Sequence, residues 1–243
     1  MTQAAVQFEQ VKKSYGRQAV LQGIDLTIGS GVTFGLVGIN GAGKTTLIKC
    51  LLDFCHIDDG RIEIFGTRHT DNHARARLAF LPERFMPPYF LTGRDFLNYM
   101  LSLDARDAGE DKVRAMFAAL DLEAEALDKP VRSYSKGMTQ KLGLAACLLA
   151  EPDLLILDEP MSGLDPLARA RVKQLLRQLR EQGRTLFFTS HARSDVEEIC
   201  EHMVVLHQGR LCVSGSPRDL MQRYARDSME QAFLDCIEGN ADG

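Results

Sequence analysis

The spacing of apolar residues changes character along the chain, and each change marks a different kind of element. Over residues 6–37 apolar side chains come in short alternating runs, which predict strands at 6–11, 24–28 and 32–37 with a turn over 29–31. These strands form an antiparallel part. Two further strands are predicted at 61–65 and 78–81, after which the spacing becomes helical from residue 92 to about 127, most clearly at Val113, Met116, Phe117 and Leu120. Residues 84–132 are therefore read as an α-helical lobe inserted into an α/β core. The core resumes with the uninterrupted apolar run Leu154, Leu155, Ile156 and Leu157, a strand buried on both faces as in a parallel sheet. A helix over 167–182, a strand over 185–189 and two late strands near 203–206 and 211–214 follow, with a hairpin turn at Gly209. Met229, Phe233 and Ile237 recur every four residues and predict one amphipathic helix in a tail over 221–243.

Two of these boundaries carry chemistry. Where the strand over 32–37 runs into the helix-like stretch at 47–52, the chain reads Gly38-Ile39-Asn40-Gly41-Ala42-Gly43-Lys44-Thr45-Thr46, which fits G-x-x-x-x-G-K-[ST] at every fixed position. Glycine at 38, 41 and 43 is expected to let successive backbone N–H groups face one anion, with the next helix aiming its N-terminus at the same phosphates. Lys44 then reaches the β- and γ-phosphates, and the Thr45 hydroxyl ligates the Mg²⁺ that bridges them. Asn40, Gly41, Ala42, Gly43, Lys44, Thr45 and Thr46 make up the expected nucleotide-binding loop. The second boundary is the end of the apolar strand, Asp158-Glu159-Pro160. A carboxylate is both a hard oxygen ligand and an acceptor at neutral pH, so Asp158 is assigned to Mg²⁺ and Glu159 to polarising the attacking water.

Between them lies Tyr134-Ser135-Lys136-Gly137-Met138-Thr139-Gln140-Lys141, followed by an apolar helix face. Alone it is an ordinary N-cap. In this order it resembles the signature motif of ABC ATPases, and the resemblance continues through Ser162-Gly163-Leu164-Asp165, like the D-loop, to Thr189-Ser190-His191, like the strand end carrying the switch histidine. It spans about residues 6 to 220. It implies a P-loop NTPase (RecA-like) α/β core with an antiparallel β subdomain and an inserted α-helical subdomain, forming a nucleotide-binding domain over 1–220. It also implies ATP and Mg²⁺ as ligands and a dimer in which Ser135 and Gly137 of one copy cover the ATP of the other. Tyr15 stands where the family stacks an aromatic on adenine, His191 where it senses the γ-phosphate, and Asp165 where it lies across the dimer seam.

Glu83 occupies the place of the Q-loop glutamine and is assigned to Mg²⁺ or a water, while Lys136 and Met138 replace the usual glycine and glutamine. These variants resemble exporter-type ATPases that work with a separate integral membrane permease. The run Phe85-Met86-Pro87-Pro88-Tyr89-Phe90 is read as the surface that receives it.

Composition narrows the setting. No apolar run reaches 18 residues, and the opening Met-Thr-Gln-Ala-Ala is no signal peptide, so a cytoplasmic protein is expected, peripheral on the inner membrane face through the permease. A net charge of −4 with interspersed signs leaves no footprint for nucleic acid, and none is expected as partner. Six scattered cysteines without a C-x-x-C read as reduced and buried. Two other readings stay open: an ATPase driving cofactor assembly, and a P-loop kinase, which has no need of Ser135, Gly137 or Asp165.

Overall fold

The computed structural model describes residues 3–103 and 106–239. In chain order its elements are β1 (Ala4–Tyr15), β2 (Gln18–Gly29), β3 (Thr33–Val37), α1 (Lys44–Leu51), β4 (Asp59–Ile64), β5 (Thr67–Arg68), α2 (Asn72–Arg75) and β6 (Leu78–Leu81). Then come α3 (Gly93–Leu103), α4 (Glu110–Ala119), two short 3₁₀ turns, α5 (Lys136–Leu149), β7 (Leu154–Asp158), α6 (Pro166–Glu181) and β8 (Thr185–Thr189). The chain closes with α7 (Arg193–Ile199), β9 (His202–His207), β10 (Arg210–Gly215), α8 (Pro217–Arg223) and α9 (Met229–Gly239).

The strands form two sheets among the described residues. One is antiparallel in the order β2-β1-β4-β5; the other runs β10-β9-β3-β8-β7-β6 and is parallel except for the β9–β10 hairpin. Period-two alternation sends successive side chains of the central strands to opposite faces. On β7, Leu154 and Ile156 join the core formed with β1, β2 and α1, while Leu155 and Leu157 join the core formed with the helices. Phe187 and Phe188 on β8 divide in the same way, as do Val204 and Val205 on β9. A strand packed on both faces has no freedom to slip, because a one-residue shift would exchange every side chain between the two cores. The strand ends are therefore fixed in space.

The expected strands are all present, with β1 extended by polar positions such as Lys12 and Lys13; but β3, expected within the antiparallel part, pairs in parallel with β8 and β9 at the centre of the other sheet, where the strand before a phosphate loop must lie to bring that loop beside the ends of β7 and β8. Residues 84–132 do carry helices, α3 and α4. The tail holds α9 as expected, but α8 overlaps its start, and Met229, Ala232, Phe233 and Cys236 bury into the main helical core. Residues 240–243 of the predicted tail lie outside the described residues. β5, α2, α7 and α8 were not anticipated.

The Gln208–Gly209 turn has positive φ at both positions (47° and 75°), the backbone of a two-residue type I′ hairpin. It also docks: Gly209 N–H donates to the Ala42 carbonyl (3.1 Å), and Gln22 N–H donates to the Gly209 carbonyl (2.9 Å), pinning the hairpin to β2 and to the loop before α1. A Cβ at 209 would stand 2.3 Å from the Val20 carbonyl oxygen, whereas one at Gly16, where φ is 60°, would meet nothing within 4 Å. Gly16→Ala is expected to cost only the left-handed penalty of about 1 kcal/mol. Gly209→Ala adds a backbone clash and is expected to cost at least about 2 kcal/mol more. Thermal melts of the two variants side by side check this, and equal melting temperatures would refute the docking argument.

Candidate nucleotide site

Strands β3, β8 and β7 lie side by side in that order, with Leu36 opposite Thr189 and Asp158 opposite Thr189. The loop after β3, the acids after β7 and His191 after β8 therefore emerge at one edge, the carboxyl end of a parallel sheet. In the loop, Gly41 and Gly43 take φ of 81° and 112°, conformations that side chains resist. Gly38 has a packing reason the sequence did not reveal: a Cβ there would sit 2.4 Å from the Leu206 carbonyl oxygen on β9. Lys44 is 7% exposed, and its Nζ donates to the carbonyls of Gly38 (2.6 Å) and Ile39 (3.2 Å). Burial holds its ammonium below the usual lysine pKa, with Glu159 and Asp158 pulling the other way.

The acids are organised by one hydroxyl. Thr189 Oγ1, on a residue with no exposed surface, donates to Asp158 Oδ1 (2.6 Å) and accepts the Glu159 N–H (3.1 Å). Thr45 Oγ1 approaches Asp158 Oδ2 at 3.5 Å. Glu159 sits at φ 52°, a rare conformation for a side-chain-bearing residue that recurs at functional sites. Its Oε2 accepts the His191 N–H (3.1 Å), and its buried Oε1 has no hydrogen-bond partner. His191 Nε2 comes within 3.4 Å of that oxygen without hydrogen-bond geometry. Burial and Lys44 hold the imidazole below the usual histidine pKa, so at pH 7 this contact is not an ion pair. Burial pushes the Asp158 carboxyl up and the Glu159 carboxyl up to about 7.

Tyr15, Asn40, Gly41, Gly43, Lys44, Thr45, Thr46, Glu83, Asp158, Glu159 and His191 line one cleft of about 280 Å³. Tyr15 is half exposed at its rim, with Lys13 Nζ 5.4 Å from its ring centroid. Ala42 is buried, turns its N–H onto the Ile39 carbonyl and does not line the cleft. Ser135 and Gly137 lie elsewhere: Ser135 caps α5 by accepting the Met138 N–H (3.2 Å), and a Cβ on Gly137 would stand 3.3 Å from the Gly163 carbonyl oxygen. The signature segment thus packs against the D-loop, where Asp165 caps α6 by accepting the Ala168 N–H (2.9 Å). Sequence reasoning missed Val20 in the lining, the Thr189 bridge, and buried Gln140, whose Nε2 donates to the Pro160 carbonyl (3.1 Å). No pattern marks Val20, whereas Thr189 was legible as a polar residue ending an apolar strand.

Comparison with known proteins agrees with this geometry. A profile of the ABC transporter family matches residues 21–162, more than half of the chain. An uncharacterised ABC transporter ATP-binding protein of Synechocystis is 41% identical over 205 residues, which cover 83% of this chain and 58% of that protein. The Nod factor export ATP-binding protein I of Paraburkholderia xenovorans is 36% identical over 230 residues, 91% of this chain and 74% of that one. A solved ATP-binding subunit of an ABC transporter superposes with a TM-score of 0.88 at 27% identity, over 96% of this chain and 99% of that one. The fold is that of ATP-binding cassettes, and with the strand ends and loop in their places the chain belongs to the ABC-transporter ATP-binding family.

Proposed function

We propose that the chain binds ATP with Mg²⁺ in this cleft, dimerises around two ATP molecules, and hydrolyses them to drive export through a separate membrane permease. The observation that carries the hydrolytic step is the Glu159 carboxylate: buried, held in a rare backbone conformation, and with Oε1 free to accept a proton. The residues fit the ligands. Gly41 and Gly43 open the loop backbone to phosphate, and Lys44 can exchange two loop carbonyls for phosphate oxygens. Thr45 and Asp158 present hard oxygens side by side, with Glu83 on the same cleft. No group of three or more His, Cys, Asp or Glu side chains that could hold a metal alone occurs among the described residues. That suits an ion shared with phosphate oxygens and water. When bound, Mg²⁺ neutralises charge developing on those oxygens.

The chain's own groups then divide the work. Tyr15 stacks on the adenine at the rim, Lys44 and the loop N–H groups hold the phosphates, and Glu159 Oε1 takes the proton of the attacking water. His191, neutral at pH 7, offers its ring to the same water or to the γ-phosphate. The Ser135 hydroxyl and the Gly137 N–H stand away from their own chain's cleft, at the start of α5, which favours their service to a second copy.

Export is supported by the likeness to the Nod factor export ATP-binding protein and by the Glu83, Lys136 and Met138 variants. The permease surface divides within the run read for it. Phe85 turns inward onto Phe96 (ring centroids 5.6 Å apart), while Met86, Tyr89 and Phe90 are 85%, 68% and 69% exposed and remain for a partner. No helix among the described residues is long and apolar enough to cross a membrane. Residues 1–220 are proposed as the nucleotide-binding domain, with 84–132 as its inserted lobe.

Lys44→Ala should weaken nucleotide affinity about 10- to 100-fold, the worth of one charge-assisted contact; titration with a fluorescent ATP analogue reads it. Glu159→Gln should still bind ATP while kcat falls about 100-fold or more, and its solution mass should be that of a dimer with Mg-ATP and a monomer with Mg-ADP. Adding Ser135→Ala subunits to Glu159→Gln subunits should then lower the dimer fraction, and an unchanged fraction would rule out a site shared across the seam.

Without nucleotide, Glu159 should also set a pH dependence of stability. Its carboxyl titrates near 7 in the folded chain and at about 4.3 in the unfolded one. Between those values the folded state holds the extra proton, so stability falls as pH rises and the penalty is complete above 7. Glu159→Gln should therefore melt with the wild type near pH 4 and above it at pH 8, by on the order of 3 kcal/mol, or about 6–12 °C.

A further inference from the structure

The peptide of His191 is held from both sides, and only one of the holders belongs to the machinery described so far. Its N–H donates to Glu159 Oε2 (3.1 Å). Its carbonyl accepts from Arg193, whose guanidinium nitrogen Nη1 lies 2.9 Å away. Arg193 opens α7, a helix whose N-cap, Ala192, supplies no side-chain cap. The same guanidinium stacks 4.3 Å from the ring centroid of Phe233 on α9, and its Nε, buried without a hydrogen-bond partner, lies 3.5 Å from Glu230 Oε2 on that helix. Phe233 has no exposed surface, and Met229, Ala232 and Cys236 seat α9 in the helical core. A planar guanidinium suits both duties at once, because its edge donates hydrogen bonds while its face lies on a ring.

We infer that Arg193 is a positioning residue: it ties the His191 peptide, and through that peptide the Glu159 carboxylate, to the C-terminal helix. Hydrolysis depends on Glu159 Oε1 and the imidazole being held at fixed positions, and a loop between β8 and a seven-residue helix is a weak anchor by itself. Glu159 cannot be the only anchor, since it is the group to be aimed. Arg193 supplies an independent reference by reaching an element buried in the core. On this view α9 is part of the catalytic device and more than a cover for the core. The inference rests on the roles proposed above for Glu159 and His191.

Steady-state ATP hydrolysis by the full chain tests it, with melting temperature measured on the same samples. Arg193→Ala should lower kcat tenfold or more while KM for ATP stays within about twofold, because Arg193 does not line the nucleotide cleft. Arg193→Lys, which keeps a cation and a donor, should restore part of the lost rate. Phe233→Leu, which keeps apolar bulk and loses the ring face, should lower kcat in the same direction. An active wild type matched by Arg193→Ala would overturn this inference alone. A fall in kcat that tracks melting temperature across the three variants, without recovery in Arg193→Lys, would reduce Arg193 to a structural staple. A wild type without turnover would overturn the hydrolytic reading itself, and this inference with it.

Discussion

One buried hydroxyl sets the geometry on which the site depends. Thr189 Oγ1 has a single proton and gives it to Asp158, which leaves a lone pair for the Glu159 N–H. The bridge crosses from β8 to β7 at the position where their parallel register puts the two residues opposite each other. It fixes the Asp158 carboxylate and, in the next peptide, the backbone turn that takes Glu159 into a left-handed conformation. Carboxylates at the end of a doubly buried strand are costly to desolvate, and the raised pKa values of both express that cost. Without a donor of this kind Asp158 would be protonated more readily and its strand end less well defined.

The motif-bearing loops are then coupled to one another through the helices that leave them. Asp195 on α7 is 1% exposed and takes ion pairs from two residues of α6, Arg169 (2.6 Å) and Lys173 (3.0 Å). Arg177 reaches across the same interface to Glu198 at 2.6 Å. Exposed pairs of this kind contribute little, but a buried aspartate deprived of its partners is strongly unfavourable. Helix α6 begins at Pro166, capped by Asp165 of the D-loop, and α7 begins two residues after His191. The helix that leaves the loop around Asp165 and the helix that follows His191 are thus tied to each other by ion pairs, one of them to a buried aspartate.

How much of this was legible in the sequence follows from the range over which each feature acts. The glycine loop, the two acids and the strand beneath them were readable because a phosphate site on a parallel sheet is built from consecutive residues, and Leu154 to Leu157 had to be apolar on both faces. A hairpin turn was readable from Gly209 alone, though its type I′ form, with Gln208 also at positive φ, was not. Elements of two to seven residues, β5, α2, α7 and α8, were not, since they are too short to show a period and are stabilised by what they pack on. The run from Phe85 to Phe90 was read as one surface, yet Phe85 and its exposed neighbours part ways because Phe96 is within reach of only one of them. Contacts between distant segments, such as Arg193 on Phe233 or the Leu206 carbonyl against Gly38, leave no local trace. The glycine at 38 was seen, but its packing reason lies on β9.

The electrostatics of the cleft argue for a ligand that carries both signs of charge. Burial is the first cause of the shifts at four of its charged groups: it drives Lys44 and His191 down and Asp158 and Glu159 up, each toward its neutral form. An anion alone would suit Lys44 and oppose the two acids; a cation alone would do the reverse. Under the proposed function, a phosphate chain paired with a divalent ion would satisfy both halves, the negative oxygens on Lys44 and the loop N–H groups and the metal on Thr45 and Asp158. Each half also compensates the desolvation that the fold has already imposed. Both demands follow from placing two carboxylates and one ammonium at the buried end of a single sheet.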